Sequence, residues 1–285
     1  MNSNNINLFN IKKKNNFFFK DFNKNFYKKK NMGGLRTKSI IKKNLYSRPL
    51  ISIIVATHNS EKHLEQCLQS IFKQSYKNYE IIIIDNQSTD KTLKLVKKYE
   101  KFIDIWISEP DEGIFHAMNK GIEISKGKII SILNSDDYYT QNALKIIVKY
   151  FNYNPNIDYV FGTVRKNKVF SGFKPNKIRW KFNIYPSHSV GFFIKKKIHD
   201  KIGLYNLNYR HSNDYDFFYR LIVKNKINGI ATKRTELVGN FRPGGFSSKL
   251  SFFDRLFMEL KIRFNNKKNN FDLFIIFFGR CFFQI

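Results

Sequence analysis

Two adjacent carboxylates, Asp136 and Asp137, follow a short apolar segment at residues 128–133. The segment is rich in β-branched residues and is bounded by Gly127 and an Asn-Ser-Asp-Asp sequence, which is typical of a covered strand in a parallel sheet. Ligands of open α/β sheets lie just beyond the carboxyl ends of the strands. A divalent cation that also holds phosphate oxygens would balance two neighbouring negative charges there. A polar loop that only caps the next helix is the alternative.

The first half of the chain alternates between apolar and amphipathic segments. This alternation predicts strands over residues 50–56, 80–84, 102–107 and 128–133, and helices over residues 61–72, 91–100 and 114–125. Asn59 or Ser60 is the expected cap of the first helix. Strands and helices in this order predict an α/β fold with a mostly parallel sheet. The polar clusters at 57–60, 85–90 and 135–137 would then lie at one edge of the sheet, which favours a nucleotide-binding half.

The second half is less regular. Its patterns predict strands at 158–164 and 189–195, a strand pair at 228–232 and 236–241, and helices at 141–153, 196–202, 213–224 and 251–264. We predict three parts, which are a disordered or loosely ordered basic arm at 1–48, a folded α/β domain at 49–247 and an amphipathic, aromatic C-terminal extension at 248–285. The folded domain divides into a nucleotide-binding half at 49–137 and a second half at 138–247.

The net charge of +29 is unevenly distributed. Residues 1–48 carry 13 Lys and Arg against one Asp, in a segment with little sign of folding. The chain as a whole is rich in Lys, Asn, Ile and Phe, so charge can accumulate on solvated faces without a partner. We therefore predict no nucleic-acid partner. A basic binding module for nucleic acid or a membrane surface stays open as an alternative function.

The cysteines and the apolar segments indicate in which cellular compartment the protein would lie. Cys67 and Cys281 are far apart in the sequence and frame neither a disulfide nor a zinc site. No segment reaches the roughly 20 apolar residues that span a bilayer, and the N-terminus lacks the apolar core of a secretory signal. We predict a cytoplasmic protein, with a peripheral membrane contact through the C-terminal extension as one hypothesis. Simple coverage of the catalytic domain by that extension is the other.

Five segments resemble, in their order and spacing, motifs of the family 2 inverting glycosyltransferases of the GT-A fold. They are PLISIIVATHN at 49–59, EIIIIDNQSTDKT at 80–92, EPDEGIFHAMNKGI at 109–122, ILNSDD at 132–137 and NDYDFFYRL at 213–221. The resemblance implies a GT-A (Rossmann-like) domain with a mostly parallel sheet flanked by helices. It also implies transfer of a hexosyl or N-acetylhexosaminyl group from a nucleotide-sugar donor, with UDP as the expected nucleotide. Residues 49–247 would then be the catalytic domain, with a nucleotide-sugar half at 49–137 and an acceptor half at 138–247. The acceptor would be a hydroxyl of a glycan, a lipid-linked molecule or a protein.

The resemblance assigns donor contacts residue by residue. They are Thr57, Asn59, Asp85, Asp111, Gly113, Asn119, Asp136 and Arg242. Asp85 would accept a hydrogen bond from the base, and Asp136 would contact the ribose or the sugar. Gly113 would permit a close approach of the backbone. Arg242 begins a loop that would close over the diphosphate.

The same resemblance places the metal and the general base. Asp137 would bind Mn²⁺ or Mg²⁺, and His188 would lie on the acceptor or metal side. Ser135 stands where the commoner form of the family motif has a carboxylate, which implies that the diphosphate supplies much of the metal coordination. Asp214 matches the general base, although Asn213 precedes it where the family often has an acidic residue. We expect Asp216 to be structural.

These assignments describe a single displacement, in which an acceptor hydroxyl replaces the nucleoside diphosphate at the anomeric carbon of the sugar. Asp214 would take the proton of the acceptor hydroxyl, and the metal would stabilise charge on the leaving diphosphate, so the anomeric configuration would invert. A sugar nucleotidyltransferase is the second enzyme class considered. That class places a glycine-rich phosphate loop after its first strand, whereas this chain has THNSEK there. A dinucleotide oxidoreductase is disfavoured because no G-x-G-x-x-G opens the first helix.

Overall fold

The computed structural model describes residues 31–173, 188–209, 212–242 and 251–283. These residues contain twelve strands. In chain order the strands are β1 (Met32–Gly33), β2 (Ile51–Thr57), β3 (Tyr79–Asp85), β4 (Ile105–Ser108), β5 (Ile129–Ile132), β6 (Tyr138–Tyr139), β7 (Tyr159–Phe161), β8 (Thr163–Arg165), β9 (Val169–Phe170), β10 (Phe192–Lys195), β11 (Gly229–Ala231) and β12 (Leu237–Asn240).

Eight α-helices accompany these strands in the described part of the chain. They are α1 (Leu64–Phe72), α2 (Thr92–Lys98), α3 (Ile114–Ile124), α4 (Ala143–Tyr153), α5 (Lys197–Ile202), α6 (Asn213–Phe218), α7 (Phe252–Asn265) and α8 (Asn270–Phe283). Helix α6 continues directly into a π-helical segment at Tyr219–Lys224.

The large sheet has eight strands in the order β1-β4-β3-β2-β5-β10-β7-β11. Its centre is parallel, because β3 pairs with β2 and β4, and β2 pairs with β5, all in the parallel sense. Strand β10 is antiparallel to both β5 and β7. The sequence prediction of an α/β fold with a mainly parallel sheet flanked by helices is therefore confirmed.

Strand β2 shows why the central strands have almost uninterrupted apolar sequences. Its residues Ile54 and Ala56 belong to one apolar core, whereas Ile51, Ile53 and Val55 belong to the core on the opposite face. A strand that is covered on both faces needs apolar residues at every position. Helix α3 lies so close over this strand that a side chain at Gly121 would come within 2.3 Å of Ile54.

A second sheet of four strands, in the order β6-β12-β8-β9, corrects two predictions about the second half. The predicted strand at 158–164 is two strands, since β7 belongs to the large sheet and β8 to the small one. The chain passes between the sheets at Gly162, where an added Cβ would lie 2.4 Å from Val238. The predicted strand pair at 228–232 and 236–241 is also wrong, because β11 pairs with β7 and β12 pairs with β6 and β8.

Helix α1 begins later than predicted, and its expected cap is wrong. Residues 61–63 form a turn, and the helix begins at Leu64 after His63. Asn59 has a φ of 48° and accepts a hydrogen bond from the N–H of Thr89 at 2.9 Å, so its side chain joins two loops. Polar residues that follow a strand end can serve a loop or a helix, and the sequence pattern alone does not separate the two.

Residues 31–48 pack against the domain, although the sequence placed them in a loosely ordered arm. Strand β1 pairs antiparallel with β4 at the edge of the large sheet. The side chain of Arg36 is buried, forms an ion pair with buried Glu80 and donates to the carbonyl oxygen of Ile124 at 2.7 Å. Order therefore begins before Pro49. Strand pairing and a buried ion pair hold this segment, and a buried charged residue gives no apolar pattern from which to predict it.

Arg36→Ala should lower the free energy of unfolding by about 3–5 kcal/mol, because it leaves the Glu80 carboxylate buried without its cation. Urea unfolding followed by circular dichroism measures the change. Lys38→Ala is the control, since Lys38 is exposed in the same turn and should change the value by less than about 0.5 kcal/mol. Equal stability of the two variants would contradict the packing described for this segment.

Candidate active site

Asp85 joins three of the strand-end loops. Its carboxylate is buried and accepts hydrogen bonds from the Thr57 hydroxyl at 3.0 Å and the Ser108 hydroxyl at 2.7 Å. The hydroxyl and backbone N–H of Ser88 also donate to it, at 2.5 and 3.0 Å. Each oxygen of Asp85 thus accepts two hydrogen bonds from the protein itself. Its contribution in this structure is to hold the carboxyl ends of β2, β3 and β4 together.

Further hydrogen bonds connect the remaining loops at this edge. The Ser60 and Ser135 hydroxyl oxygens are 2.7 Å apart and join the loops after β2 and β5. The side-chain oxygen of Asn86 accepts from the backbone N–H of Asp111 at 2.9 Å. The polar clusters predicted to meet at one edge of the sheet therefore do so, because parallel strands bring their carboxyl ends together.

Asp111 shapes the start of helix α3. Its carboxylate accepts from the N–H of Gly113 at 2.8 Å, and partial burial raises the pKa of this carboxyl. Gly113 caps the helix with a φ of 110° and an extended ψ, a conformation that is nearly restricted to glycine. An added Cβ would meet no atom within 4 Å, so backbone conformation and not space selects glycine at this position. The two residues form one turn beside the strand-end loops.

Asp137 is the buried carboxylate at the end of β5. It is 2% exposed, and its oxygens accept from the backbone N–H of Arg242 at 3.2 Å and from the Asn134 amide at 3.3 Å. The guanidinium of Arg242 donates to the carbonyl oxygen of Asp136 at 2.8 Å and to Gln66 of α1. Asp136, Asp137 and Arg242, which the sequence assigned to one site, are thus in contact.

Burial sets the protonation of this cluster. It raises the pKa of Asp137 to about 7, with a further contribution from the negative charge of Asp136. Nδ1 of His188 lies 3.3 Å from Asp137 Oδ2 and 3.1 Å from Ser189 Oγ, and the ring stacks on Phe241. Burial lowers the pKa of His188 to about 4, so at neutral pH the imidazole is uncharged. The Asp137 carboxylate is therefore well placed to gain from a cation.

The residues at this edge fit a divalent metal that is shared with a phosphate ligand. No cluster of three or more His, Cys, Asp and Glu side chains is arranged as a metal cage among the described residues. Asp137 supplies a carboxylate and the neutral His188, 3.3 Å away, supplies an imidazole, which suit Mn²⁺ or Mg²⁺ when other ligands complete the shell. Asn134 has a buried side-chain oxygen without a hydrogen-bond partner, and its amide NH₂ donates to Asp137.

Asn119 contacts the backbone of a turn in the second half. Its amide donates to the carbonyl oxygen of Tyr205 at 2.9 Å and accepts from the N–H of the same residue at 3.0 Å. The Tyr205 ring packs against Phe115 of α3 and Phe217 of α6, with centroid distances of 5.3 and 4.6 Å. Asn119 thus connects the donor-side helix to the helix that carries Asp214, and donor contact by its side chain stays a prediction.

Asp214 lies in the first turn of α6 and is partly buried. Its carboxylate accepts from the N–H of Tyr215 at 2.8 Å. Asp216 is buried and bonds to Arg220 at 2.7 Å and to Asn266 at 3.0 Å, as expected of a structural residue. The two acidic residues of this motif therefore differ in burial, since Asp216 lies in the interior and Asp214 is only partly buried.

Comparison with known proteins decides the family. The model described as Glycosyl transferase family 2 matches residues 52–216, which is more than half of the chain. The chain belongs to glycosyl transferase family 2. The resemblance of the five sequence segments to this family is thereby confirmed.

Curated relatives of this family 2 chain are named as glycosyltransferases, in agreement with the predicted enzyme class. An uncharacterized glycosyltransferase of Methanocaldococcus jannaschii is 32% identical over 190 residues, which cover 61% of this chain and 65% of that protein. A PGL/p-HBAD biosynthesis glycosyltransferase of Mycobacterium bovis is 31% identical over 180 residues, which cover 60% of this chain and 69% of that protein.

Solved structures share the fold. TarS 1-349 of S. aureus, in complex with UDP-GlcNAc, superposes with a TM-score of 0.62 and 16% identity, covering 81% of this chain and 74% of that chain. A mannosyltransferase from Pyrobaculum calidifontis, in complex with GDP-Man and Mn²⁺, gives a TM-score of 0.56 and 18% identity, covering 85% of this chain and 68% of that chain. At these identities the similarity shows a common GT-A fold.

Sequence reasoning missed several residues that build the family 2 site. Asn86, Ser108 and Asn134 hold the strand-end loops in place, yet none was assigned a role, and Ser60, which was considered only as a helix cap, joins two of these loops. They lie within or directly beside the quoted motifs, so the available signal was their position at or after a strand end. Arg242 contacts Asp136 and Gln66, and its contact with the diphosphate stays a prediction, since residues 243–247 of its loop lie outside the described residues.

Asp85→Asn should lower the free energy of unfolding by about 1–3 kcal/mol even without a nucleotide, because an amide NH₂ would face donors that now bond to a carboxylate oxygen. Urea unfolding of the ligand-free protein measures this. Ser108→Ala is the matched variant, since it removes a single hydrogen bond, and it should cost less. An Asp85→Asn protein as stable as the wild type would show that Asp85 serves the ligand alone.

Proposed function

We propose that this chain is a metal-dependent inverting glycosyltransferase that uses a nucleoside-diphosphate sugar, with UDP as the expected nucleotide. The observation that carries the proposal is the meeting of the strand-end loops around buried Asp137. A buried carboxylate with a pKa of about 7 gains most from a ligand that brings a divalent cation. Neighbours of the same fold with UDP-GlcNAc, and with GDP-Man and Mn²⁺, support a nucleotide-sugar donor and a metal.

The metal would be held by Asp137, with Asp136 and His188 beside it, and by the diphosphate of the donor. When bound, it would stabilise negative charge on the departing diphosphate. Arg242 brings a cationic guanidinium to the same loop, where it would also face the diphosphate. Thr57, Asn59 and the other strand-end residues would form the floor of the donor pocket.

Asp214 would act as the general base that takes the proton of the acceptor hydroxyl. Its position at the beginning of α6 places the carboxylate on a rigid element, and Tyr205 and Asn119 connect that element to the donor side. A single displacement with one base inverts the anomeric configuration. The acceptor would be a hydroxyl of a glycan, a lipid-linked molecule or a protein.

Asp214→Asn should reduce sugar transfer by about 10²-fold or more and leave donor binding nearly unchanged, because only the proton acceptor is removed. Release of nucleoside diphosphate from a panel of UDP-, GDP- and dTDP-sugars, with Mn²⁺ and with chelator, identifies the donor and measures turnover. Asp216→Asn is a structural comparison that is expected to act through stability. Wild-type turnover by Asp214→Asn would refute the assignment of the base.

The C-terminal extension carries a surface that fits a membrane. The aromatic surface consists of Phe253, Phe257 and Phe264 of α7 with Phe271, Phe274, Phe278 and Phe282 of α8, each between 38% and 72% exposed. Exposed basic side chains of the same two-helix unit accompany it, namely Arg255, Lys261 and Lys267. Aromatic and basic side chains on one amphipathic unit favour an anionic lipid surface.

We infer that this aromatic surface holds the enzyme on an anionic membrane, where lipid-linked acceptors would lie. Helix α8 has 14 residues, or roughly 21 Å, and no helix in the described ranges is long and apolar enough to cross a bilayer. The contact would therefore be peripheral. Masking of apolar side chains by lipid also explains why the fold leaves them exposed.

Phe274→Ser/Phe278→Ser should lose binding to phosphatidylglycerol-containing vesicles, because the two substitutions remove adjacent rings of the aromatic surface. Co-sedimentation with vesicles measures binding, and vesicles of phosphatidylcholine alone test the need for anionic lipid. Tyr153→Ser is the control, since Tyr153 is 76% exposed on another helix. A wild-type protein that stays in the supernatant with both vesicle types would refute the membrane contact.

A further inference from the structure

Helix α7 contacts the segment that carries Asp214, although it lies beyond the family match, which ends at residue 216. Four side chains of residues 209–216 meet α7 or its cap Asn266. The contacts are Tyr209 Oη with Asn265 Nδ2 at 2.9 Å, Ser212 Oγ with Met258 Sδ at 3.7 Å, Tyr215 Oη with Glu259 Oε1 at 2.9 Å, and Asp216 Oδ1 with Asn266 Nδ2 at 3.0 Å. These contacts lie on both sides of Asp214 along the chain.

The α7 residues that make these contacts share one face of the helix. Met258, Glu259, Ile262, Asn265 and Asn266 are spaced at i, i+1, i+4, i+7 and i+8, which is one stripe of a helix. Ile262 is fully buried in the same apolar core as Tyr215 and Phe217. The stripe therefore combines apolar burial with directed hydrogen bonds to the base segment.

Two charged side chains of α7 meet the tyrosine rings of α6 and its π-helical continuation in a buried cluster. Arg263 and Glu259 are 0% and 1% exposed, and their closest nitrogen and oxygen atoms are 2.7 Å apart. The hydroxyl of Tyr215 donates to the same oxygen of Glu259, and the guanidinium of Arg263 lies over the rings of Tyr215 and Tyr219. Glu259 and Arg263 lie one turn apart on α7, so their ion pair orders these two side chains, and their contacts with Tyr215 align α7 with α6. Tyr215 directly follows Asp214, so this alignment also fixes the backbone of the proposed base.

We propose that α7 is a positioning element for catalysis, in which Glu259, Asn265 and Asn266 hold the Asp214 segment in its productive place. The inference rests on the proposed function, in which Asp214 is the general base. It assigns a catalytic purpose to the C-terminal extension, a part of the chain outside the matched family region. Mere coverage of the core needs apolar contacts alone, whereas hydrogen bonds on both sides of Asp214 define its position and direction.

The test compares Asn265→Ala/Asn266→Ala and Tyr215→Phe with wild type in the full chain. Both variants should lower kcat by about tenfold with an unchanged KM for the donor, because small misplacement of a catalytic group slows the chemical step. Ser251→Ala is the matched control. Ser251 caps the same helix through the N–H of Asp254 and does not lie in the stripe that contacts the base segment.

Hydrogen–deuterium exchange supplies a readout that does not need activity. Amides of residues 212–216 should exchange faster in Asn265→Ala/Asn266→Ala than in Ser251→Ala, at matched thermal stability. Active variants with wild-type kcat, or with no greater loss than Ser251→Ala, would overturn the positioning role while leaving the proposed function in place. A wild-type protein that releases no nucleoside diphosphate from any donor would overturn the proposed function and the catalytic role of α7 together.

Discussion

The arrangement of the site follows from one carboxylate that the fold removes from water. Asp137 lies at the end of β5, and its partners are the N–H of Arg242, the amide of Asn134 and the neutral imidazole of His188. Burial, with a smaller contribution from the negative charge of Asp136, outweighs these partners and raises the pKa of the carboxyl to about 7. The same carboxylate becomes strongly favourable once a divalent cation binds. A metal–diphosphate ligand would therefore be stabilised by its cation's attraction to this buried carboxylate.

Three further features of the fold support the edge of the sheet that carries this site. The parallel strands carry the loops to one place, and Asp85 ties those loops together through hydroxyl groups of Thr57, Ser88 and Ser108. At the opposite ends of the strands, the Arg36–Glu80 pair fixes the segment before β2. The C-terminal helices pack against the second half of the domain. Polar side chains on one face of α7 contact the α6 segment, and exposed aromatic side chains lie on the other face. One extension thereby connects the proposed membrane contact with the proposed base.

Features set by neighbouring residues in the sequence were predictable, and features set by contacts between residues distant in the sequence were not. Apolar runs that end in polar residues placed β2, β3 and β5 and their shared edge, because strand period and turn chemistry are local properties. The roles of Asn59 and Asn119 depend on partners 30 and 86 residues away, so their side chains could not be placed from spacing. The split at Gly162 and the burial of Arg36 likewise arise from tertiary packing.

The most direct test of this account is calorimetric titration of UDP into the wild type and Asp137→Asn at pH 7.5, each with Mn²⁺ and with chelator. We expect binding to the wild type only with Mn²⁺, and at least about tenfold weaker binding to the variant, which corresponds to about 1.4 kcal/mol. GDP and dTDP extend the titration to the other nucleotides. Equal affinity of the wild type with and without metal, or unchanged metal-dependent affinity in Asp137→Asn, would contradict the central role of this carboxylate.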